Sequence, residues 1–407
     1  MTTGQPPMLL YDDARARQFA PFHVTRPASE LRAGALLTRE RWAFVLGADP
    51  VGFLSAPHLD GFQDVGTPPF CASRPEAPVW LVNARALPRL ERIPEGTQVV
   101  RIAGEVAAVH RPIDPSLWEA LVAGQASLSP PDGATGVVEA PGVWIEEIWD
   151  LLSHLTAQLN DDIPRLAGAH DIPIVRPAAV GGAGIGTYPV WVEPGATIEP
   201  MAFFDTQDGP ILIRQGARVR AFTRLVGPCA VGVGSEVTTD RISGSSIGDH
   251  CRVHGELVAS ILIGHANKTH DGFVGHSILG RWVNLGAGTI TSNLKNTYGS
   301  VTLWTPAGYR ETGRQFLGTL FGDHAKTGIG LRLTTGTVLG AGANVVEAMP
   351  PKVVAPFAWG AHPPYPRYRL AKFLEAAERA MTRRGVALDA AQASWWERVY
   401  AVATSDS

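Results

Sequence analysis

"ILIRQGARVRAFTRLVGPCAVGVGSEV", residues 211–237, places an apolar side chain at every sixth position: Ile213, Val219, Leu225, Val231 and Val237. A helix would repeat near 3.6 residues and a half-buried strand every second residue, so neither explains the pattern. The same step recurs at Ile247 and Val253, at Phe273, Leu279 and Leu285, and at Phe321, Thr327, Leu333, Leu339 and Val345. Four places after most anchors stands a small or β-branched residue, among them Ala217, Thr223, Cys229, Ser235, Cys251, Ser277, Val283, Thr289, Ala325, Thr337 and Ala343. Glycine often follows the anchor, as in Val231-Gly232, Leu279-Gly280 and Leu339-Gly340. A six-residue step suits a short strand and a sharp corner, with the anchor pointing into a narrow prism and glycine relieving the bend. Three steps, about 18 residues, make one coil of a solenoid. A sandwich would place turns every 8 to 12 residues and a propeller would repeat over about 40, so both fit poorly. The phase breaks at 238–246, 254–272 and 291–320, where loops or corners are expected to bulge from the prism.

Upstream, residues 1–180 read as a mixed α/β domain. "PVWLVNARAL" and "TQVVRIAGEVAAVH" have strand character, and "ASELRAGALLTRERWAFVLG" and "WDLLSHLTAQLNDDI" have helical spacing. A Pro/Gly-rich stretch containing "GGAGIG" then marks a domain edge; it lacks the spacing of a dinucleotide fingerprint and a proline-bearing strand follows it. The β-helix is expected over 185–350. Residues 351–407 supply a proline-rich segment and two amphipathic helices, "RYRLAKFLEAAERAMTRRG" and "LDAAQASWWERVY", expected to cap the solenoid or to pack on a neighbour.

Composition narrows the partners. The chain of 407 residues carries 35 basic and 38 acidic side chains and a formal charge of -3, with no basic stretch interleaved with aromatics, so nucleic acid is not an expected partner. Cys71, Cys229 and Cys251 are too scattered for a disulfide framework or a zinc ligand set. No basic n-region precedes a long apolar core and no 18-residue apolar window occurs, so the expectation is a soluble cytoplasmic protein without membrane insertion.

Hexads together with "HDGFVGHSILGRWVNLGAGTITSNLKN" resemble the left-handed β-helix acyltransferases, and among them the bifunctional N-acetylglucosamine-1-phosphate uridylyltransferase/glucosamine-1-phosphate acetyltransferases. More closely, the chain looks like sugar nucleotidyltransferases sharing that two-domain plan, whose N-terminal half carries something like "VTRPASELRAGALLTRERW", here residues 24–42. The resemblance implies a nucleotidyltransferase-like α/β domain, a left-handed parallel β-helix, a homotrimer with sites between subunits, acetyl-CoA as acyl donor and a sugar phosphate or nucleotide sugar as substrate.

It also implies site residues. The family's general base falls on His270, since neutral imidazole accepts a proton near pH 7 and contributes about 10² to 10⁴ in rate. Backbone N–H groups around Ala287 and Gly288 would hold the thioester oxyanion, each donor worth about 3 kcal/mol. Asn284 and Asn293 match positions that touch sugar and acyl donor, and Phe273 stands where the acetyltransferases have tyrosine. Leu294 replaces a second tyrosine, so two hydroxyls that would hold the sugar are missing. Lys268, Lys295, His324 and Lys326 are candidates to meet phosphates of the sugar or of coenzyme A. The alternative for each is a residue of ordinary structural use: a loop histidine, a corner asparagine, a solvated lysine.

Nucleotidyl transfer in the N-terminal half is the weaker expectation. The glycine-rich G-x-G-T-R loop that cradles phosphates is absent before Thr25-Arg26, and Asn83 ends the strand where Mg²⁺ is usually held by aspartate. Arg26 is either a surviving phosphate contact or a residue fixing the chain before a helix. Two functions therefore stand: a sugar nucleotidyltransferase/acyltransferase, or a trimeric scaffold that binds sugar nucleotides and has lost both reactions.

Overall fold

The computed structural model describes residues 6–405. Two compact units are present, one of residues up to 150 with 389–402, the other of residues 151–388 with the last few.

The first unit is built on a six-stranded sheet. Pro50–Leu54, Met8–Tyr11 and Val79–Asn83 run parallel at one side, and Glu105–Arg111 turns the order antiparallel. Its strands are apolar on both faces, as a sheet covered on both sides requires. Leu10, Val82, Val100 and Trp42 fill one layer and Leu9, Leu81, Val109 and Leu121 the other. The helix expected across residues 28–47 is shorter than its spacing suggests. Ala28–Glu30 forms a single 3-10 turn, Arg32–Ala33 pairs antiparallel with Leu36–Leu37 around Gly34 at φ +60°, and only Thr38–Leu46 is helical. A positive-φ glycine cannot continue a right-handed helix, so the chain folds back there. Of the two C-terminal helices, the second packs within the first unit: the Trp395 ring lies edge-on to Phe62 at 5.4 Å and Arg398 donates to the Asp60 carbonyl at 2.5 Å.

The second unit is a parallel β-helix of three faces, with nine strands stacked on its longest face. Every hexad anchor except Phe273 is buried, and so is each of the eleven small residues four places on. Register explains where the hexads fail. Ile213 pairs with Val231 one full 18-residue coil away, but Val231 pairs with Ile247, Ile247 with Leu262 and Leu262 with Leu279, coils of 16, 15 and 17 residues. The breaks at 238–246 and 254–272 are therefore tightened coils and not bulging loops. Thr239, Asp240 and Ala259 take positive φ at the shortened corners. The second break conceals a complete coil, Leu257–Val258, Ile261–Gly264 and Asn267–Lys268, whose inward position on the third face is a lysine paired with Val253. One coil later the inward residue is Val274, fully buried, and not its half-buried neighbour Phe273.

Only 291–320 leaves the stack. It carries a hairpin, Thr302–Thr305 with Gly308–Glu311, and returns at Thr319–Phe321 so that Leu279 pairs with Phe321 and Ile290 with Arg332.

One corner column is left-handed in coil after coil. Gly195, Gly216 and Gly234 occupy it first, then His250, His265, Trp282 and His324, then Gly342 and Phe357. His250, His265 and His324 each donate their N–H at 2.8 Å to a carbonyl of the coil below. The conformation costs a non-glycine residue about 1–2 kcal/mol; burial and stacking offset it, His265 lying 4.1 Å from Trp282 with the planes 24° apart. Helix Leu370–Thr382 covers this column with Phe373, Ala377 and Met381, spaced on one stripe, Phe373 meeting His324 and Phe357 edge-on.

Burial, then the Arg281 guanidinium 2.8 Å from Nδ1, push His265 down to about 2; burial, then Arg314, push His276 to about 4. Both rings stay neutral in the fold, while the unfolded chain protonates near 6.5. Protons on these two rings therefore favour the unfolded state below that value, so they cost the β-helix nothing well above pH 6.5 and weaken it as pH falls towards 4. Hydrogen exchange of β-helix peptides in a urea series should give a lower midpoint at pH 5 than at pH 7; equal midpoints would contradict it.

Candidate functional site: a depression across four coil corners

At the edge where the third face turns into the first, four successive corners bring together His254, then Thr269, His270 and Asp271, then Ala287 and Gly288, then Ile329 and Gly330. They line an open depression of about 690 Å³. Glycine is required at these bends: Gly272 has φ +135° and a Cβ there would stand 2.2 Å from the Thr289 carbonyl oxygen, while Gly288 and Gly330 stack at φ +72° and +69°.

His270 is exposed at the rim and its ring makes no hydrogen bond among the described residues. Lys268, by contrast, is not an exposed loop charge. From its inward position it donates Nζ to the carbonyls of His254 (2.5 Å) and His270 (3.1 Å), so one buried ammonium ties two corners of the depression together. Burial pulls it down to about 8, against the opposing fields of Asp240, Asp271 and Glu256. Lys268→Met keeps the stem and removes the donor; stranding two inward carbonyls should lower stability by about 1–3 kcal/mol, read from urea unfolding.

The two backbone donors differ. The Gly288 N–H is committed to the Asp271 carbonyl at 2.9 Å, whereas the Ala287 N–H has no acceptor among the described residues, and Ala287 lines the depression. His254, which hexad reasoning passed over inside the 254–272 break, also lines the site. Its Nε2 meets Asp271 Oδ1 at 2.9 Å and its Nδ1 meets Thr238 Oγ1 at 3.0 Å.

The remaining residues lie elsewhere on the prism. Asn284 sits in an outward column of the third face, between Asn267 and Lys326, and accepts from Asn267 Nδ2 at 2.7 Å. Lys326 is half-buried there, pulled to about 8 by burial, with Nζ 3.3 Å from the His324 carbonyl. Asn293 donates to His276 Nδ1 at 2.8 Å; His276 in turn stacks on Phe316 at 5.2 Å, and the Phe273 ring closes over Gly275 beside them. Lys295 is held by the Ser300 carbonyl.

In the first unit, the carboxyl ends of strands Met8–Tyr11 and Val79–Asn83 lie side by side, as in nucleotide-binding α/β sheets. The groups there are already satisfied by one another. Asp13 takes two bonds from Arg85 (2.8 and 2.9 Å) and one from Asn83 Nδ2 at 2.9 Å; burial pushes its carboxyl up, but Arg85 outweighs this and holds it below the usual range. Asp12 is buried, raised by that burial to about 6, and bound by the Ser55 hydroxyl and the Ala28 N–H. Glu146 pairs with Arg15 and Arg85. No group of three or more His, Cys, Asp or Glu among the described residues is arranged to hold a metal ion. With neutral Asn83 and every neighbouring carboxylate held by a guanidinium, hydroxyl or amide, a divalent cation does not fit these strand ends.

Residues 24–42 have a structural use in this unit. Arg26 is buried over the Phe62 ring at 5.7 Å and 3.8 Å from Asp64; Arg39 pairs with Glu30 at 2.8 Å, and Arg32 and Arg41 donate to the carbonyls of Ala35, Ala33 and Pro88. Of the two readings of Arg26, the packing one matches its surroundings.

Residues 8–170 match the sugar nucleotidyl transferase family. A bifunctional sugar-1-phosphate nucleotidylyltransferase/acetyltransferase of Sulfurisphaera tokodaii is 31% identical over 90 residues, 22% of either chain. The bifunctional protein GlmU of Desulfitobacterium hafniense is 29% identical over 203 residues, 40% of this chain and 42% of that one. Among solved structures, the S84A mutant of AntD, an N-acyltransferase from Bacillus cereus in complex with dTDP-4-amino-4,6-dideoxyglucose and coenzyme A, matches with TM-score 0.23 and 15% identity over 51% of this chain and 94% of that one. The chain spans less than half the length of the curated relatives it matches.

Residues 8–170 thus resemble the sugar nucleotidyl transferase family, in a chain that joins this α/β unit to a parallel β-helix. Over part of its length the chain is similar to bifunctional nucleotidyltransferase/acetyltransferases. No helix of the described residues is long and apolar enough to cross a membrane.

Proposed function

We propose that the β-helix transfers an acyl group from coenzyme A to a sugar derivative, an amino sugar or a sugar phosphate, with His270 as general base, in a cytoplasmic homotrimer. The observation that carries this reading is the open His270 ring in the same depression as the uncommitted Ala287 N–H. Coenzyme A brings the acyl group as a thioester. His270 accepts the proton of the attacking acceptor, and Ala287 donates to the oxygen on which negative charge develops. Ile329, 79% exposed at the rim, gives an apolar wall against which a partner subunit or the pantetheine arm can dry the site.

The N-terminal unit is proposed to contribute affinity for the nucleotide or phosphate end of the substrate. Its saturated strand ends favour binding over metal-assisted transfer. A scaffold without either reaction is the second reading, favoured by that saturation and by Phe273 and Leu294 in place of tyrosines. Coenzyme A release from acetyl-CoA, followed over glucosamine-1-phosphate, nucleotide amino sugars and simple sugar phosphates, separates the two. Turnover with one acceptor supports the enzyme; silence across the panel, with no pyrophosphate released from nucleoside triphosphates and sugar-1-phosphates, supports the scaffold.

A further inference from the structure

The base of the proposed reaction stands on a corner with few fastenings. Residues 269–272 carry the chain from the third face to the first, and two of their carbonyls are held, Asp271 by the Gly288 N–H at 2.9 Å and His270 by the Lys268 ammonium at 3.1 Å. No other hydrogen bond reaches His270 among the described residues. Lys268 comes to this corner from inside the prism, where it follows the buried Val237 and Val253 and precedes the buried Leu285 in the inward column. Its Nζ also lies 2.5 Å from the His254 carbonyl oxygen. Gly255 makes the room: a Cβ there would stand 2.8 Å from Nζ and 3.2 Å from the Gly272 carbonyl oxygen, and φ is +78°. Asp240, Glu256 and Asp271 are the charged groups whose fields reach the ammonium, none of them bonded to it among the described residues. Asp271 meets the His254 ring at 2.9 Å, Glu256 lies 3.7 Å from Arg241, and Asp240 accepts the Arg241 N–H.

We propose that Lys268 is a positioning residue for acyl transfer: held inside the solenoid, its ammonium sets the peptide of His270 so that the ring faces the depression, and loss of the ammonium proton slackens that corner. This rests on the acyl-transfer reading of the same site. Lys268 itself touches no substrate and moves no proton of the reaction. An ammonium bond to a carbonyl is roughly twice as strong as a neutral one, so the neutral amine keeps its donors and loses much of the hold. It also gives up the attraction of the three carboxylates. Burial outweighs those carboxylates and pulls Lys268 down to about 8, so the charge present at pH 7 is mostly gone by pH 9. A displacement of about 1 Å in a reacting group costs up to about 10² in rate, which makes the hold on this corner a lever on the reaction.

The unaltered full chain supplies the first test. Its His270 ring resonance, assigned by its absence in His270→Ala, should show an inflection near pH 8, above the range of an ordinary imidazole, and Lys268→Met should abolish it. In acetyl transfer, kcat should fall roughly tenfold between pH 7 and pH 9, with a smaller change in KM for the acyl donor. Lys268→Met should run at the lowered rate throughout, without an alkaline limb. Lys268→Arg, charged across this range, should recover part of the rate and also lose the limb. A lysine of merely structural use would lower the urea midpoint in Lys268→Met and leave the pH profile of kcat as it was. A limb that persists in Lys268→Met, or a His270 ring blind to pH between 7 and 9, would overturn the assignment and leave acyl transfer standing. An inflection abolished by Lys268→Met, in a chain that turns over no acceptor, would keep the coupling of Lys268 to the His270 corner and remove the catalytic reading.

Discussion

His270→Ala should lower acyl transfer by about 10² to 10⁴ while leaving the fold and the binding of coenzyme A nearly unchanged. The ring is exposed and makes no hydrogen bond among the described residues, so its loss creates no cavity and strands no partner. Its backbone carbonyl, the only part of the residue that the structure uses, still accepts from Lys268. A loss in kcat at constant melting temperature is therefore the signature of a general base, and wild-type rates in the variant would reject the role. His270→Gln should resemble alanine, since an amide keeps the size and hydrogen-bonding capacity of the ring but takes no proton near pH 7.

The largest effect on stability is expected from Phe321→Ala, at about 3–5 kcal/mol. Phe321 is fully buried and returns the chain to the stack after the 291–320 excursion, seated between Leu279 and Leu339. In a prism filled by one layer of side chains per coil, an emptied layer cannot be refilled from the side, so the cavity persists. Neighbouring coils carry the loss because a solenoid is held by nearest-neighbour contacts. Phe222, 62% exposed at a positive-φ corner, is the control: its replacement should move the urea midpoint little. Comparable losses at both positions would contradict the assignment of the prism interior.

How much of this was written in the sequence depends on which rule each residue obeys. Anchors such as Val231 and Leu339 answer only to the lumen, whose demand for an apolar side chain recurs at fixed intervals, and they were legible. The coil of 257–268 was not, because three shortened coils shift the interval and because Lys268 occupies an inward place that reads as a loop charge. Phe273 mimicked an anchor by keeping the hexad count through a coil of 17 residues, while Val274 fills the lumen. For the site, the family resemblance singled out His270 and Ala287, which the corners do bring together. It also singled out Gly288, whose donor proves to be occupied. His254 escaped notice since its role depends on a neighbour one coil on, Asp271, and only the register of the coils makes 254 and 271 adjacent. In the N-terminal unit, Arg26 read either as a phosphate contact or as a residue fixing the chain; it is buried over Phe62 and near Asp64, partners far away in sequence that no local pattern announces.

The excursion at 291–320 departs and comes back without shifting a single pairing, since the strands before and after it lie against each other as though the intervening chain were absent. The tip of such a detour can be varied while the tower beneath keeps its height and alignment; its base, where Val301, Leu303 and Leu317 are fully buried, belongs to the packing. New recognition could be tried out there at little risk to the framework, and a grafted hairpin between residues 305 and 308 would be a natural place for an engineer to begin.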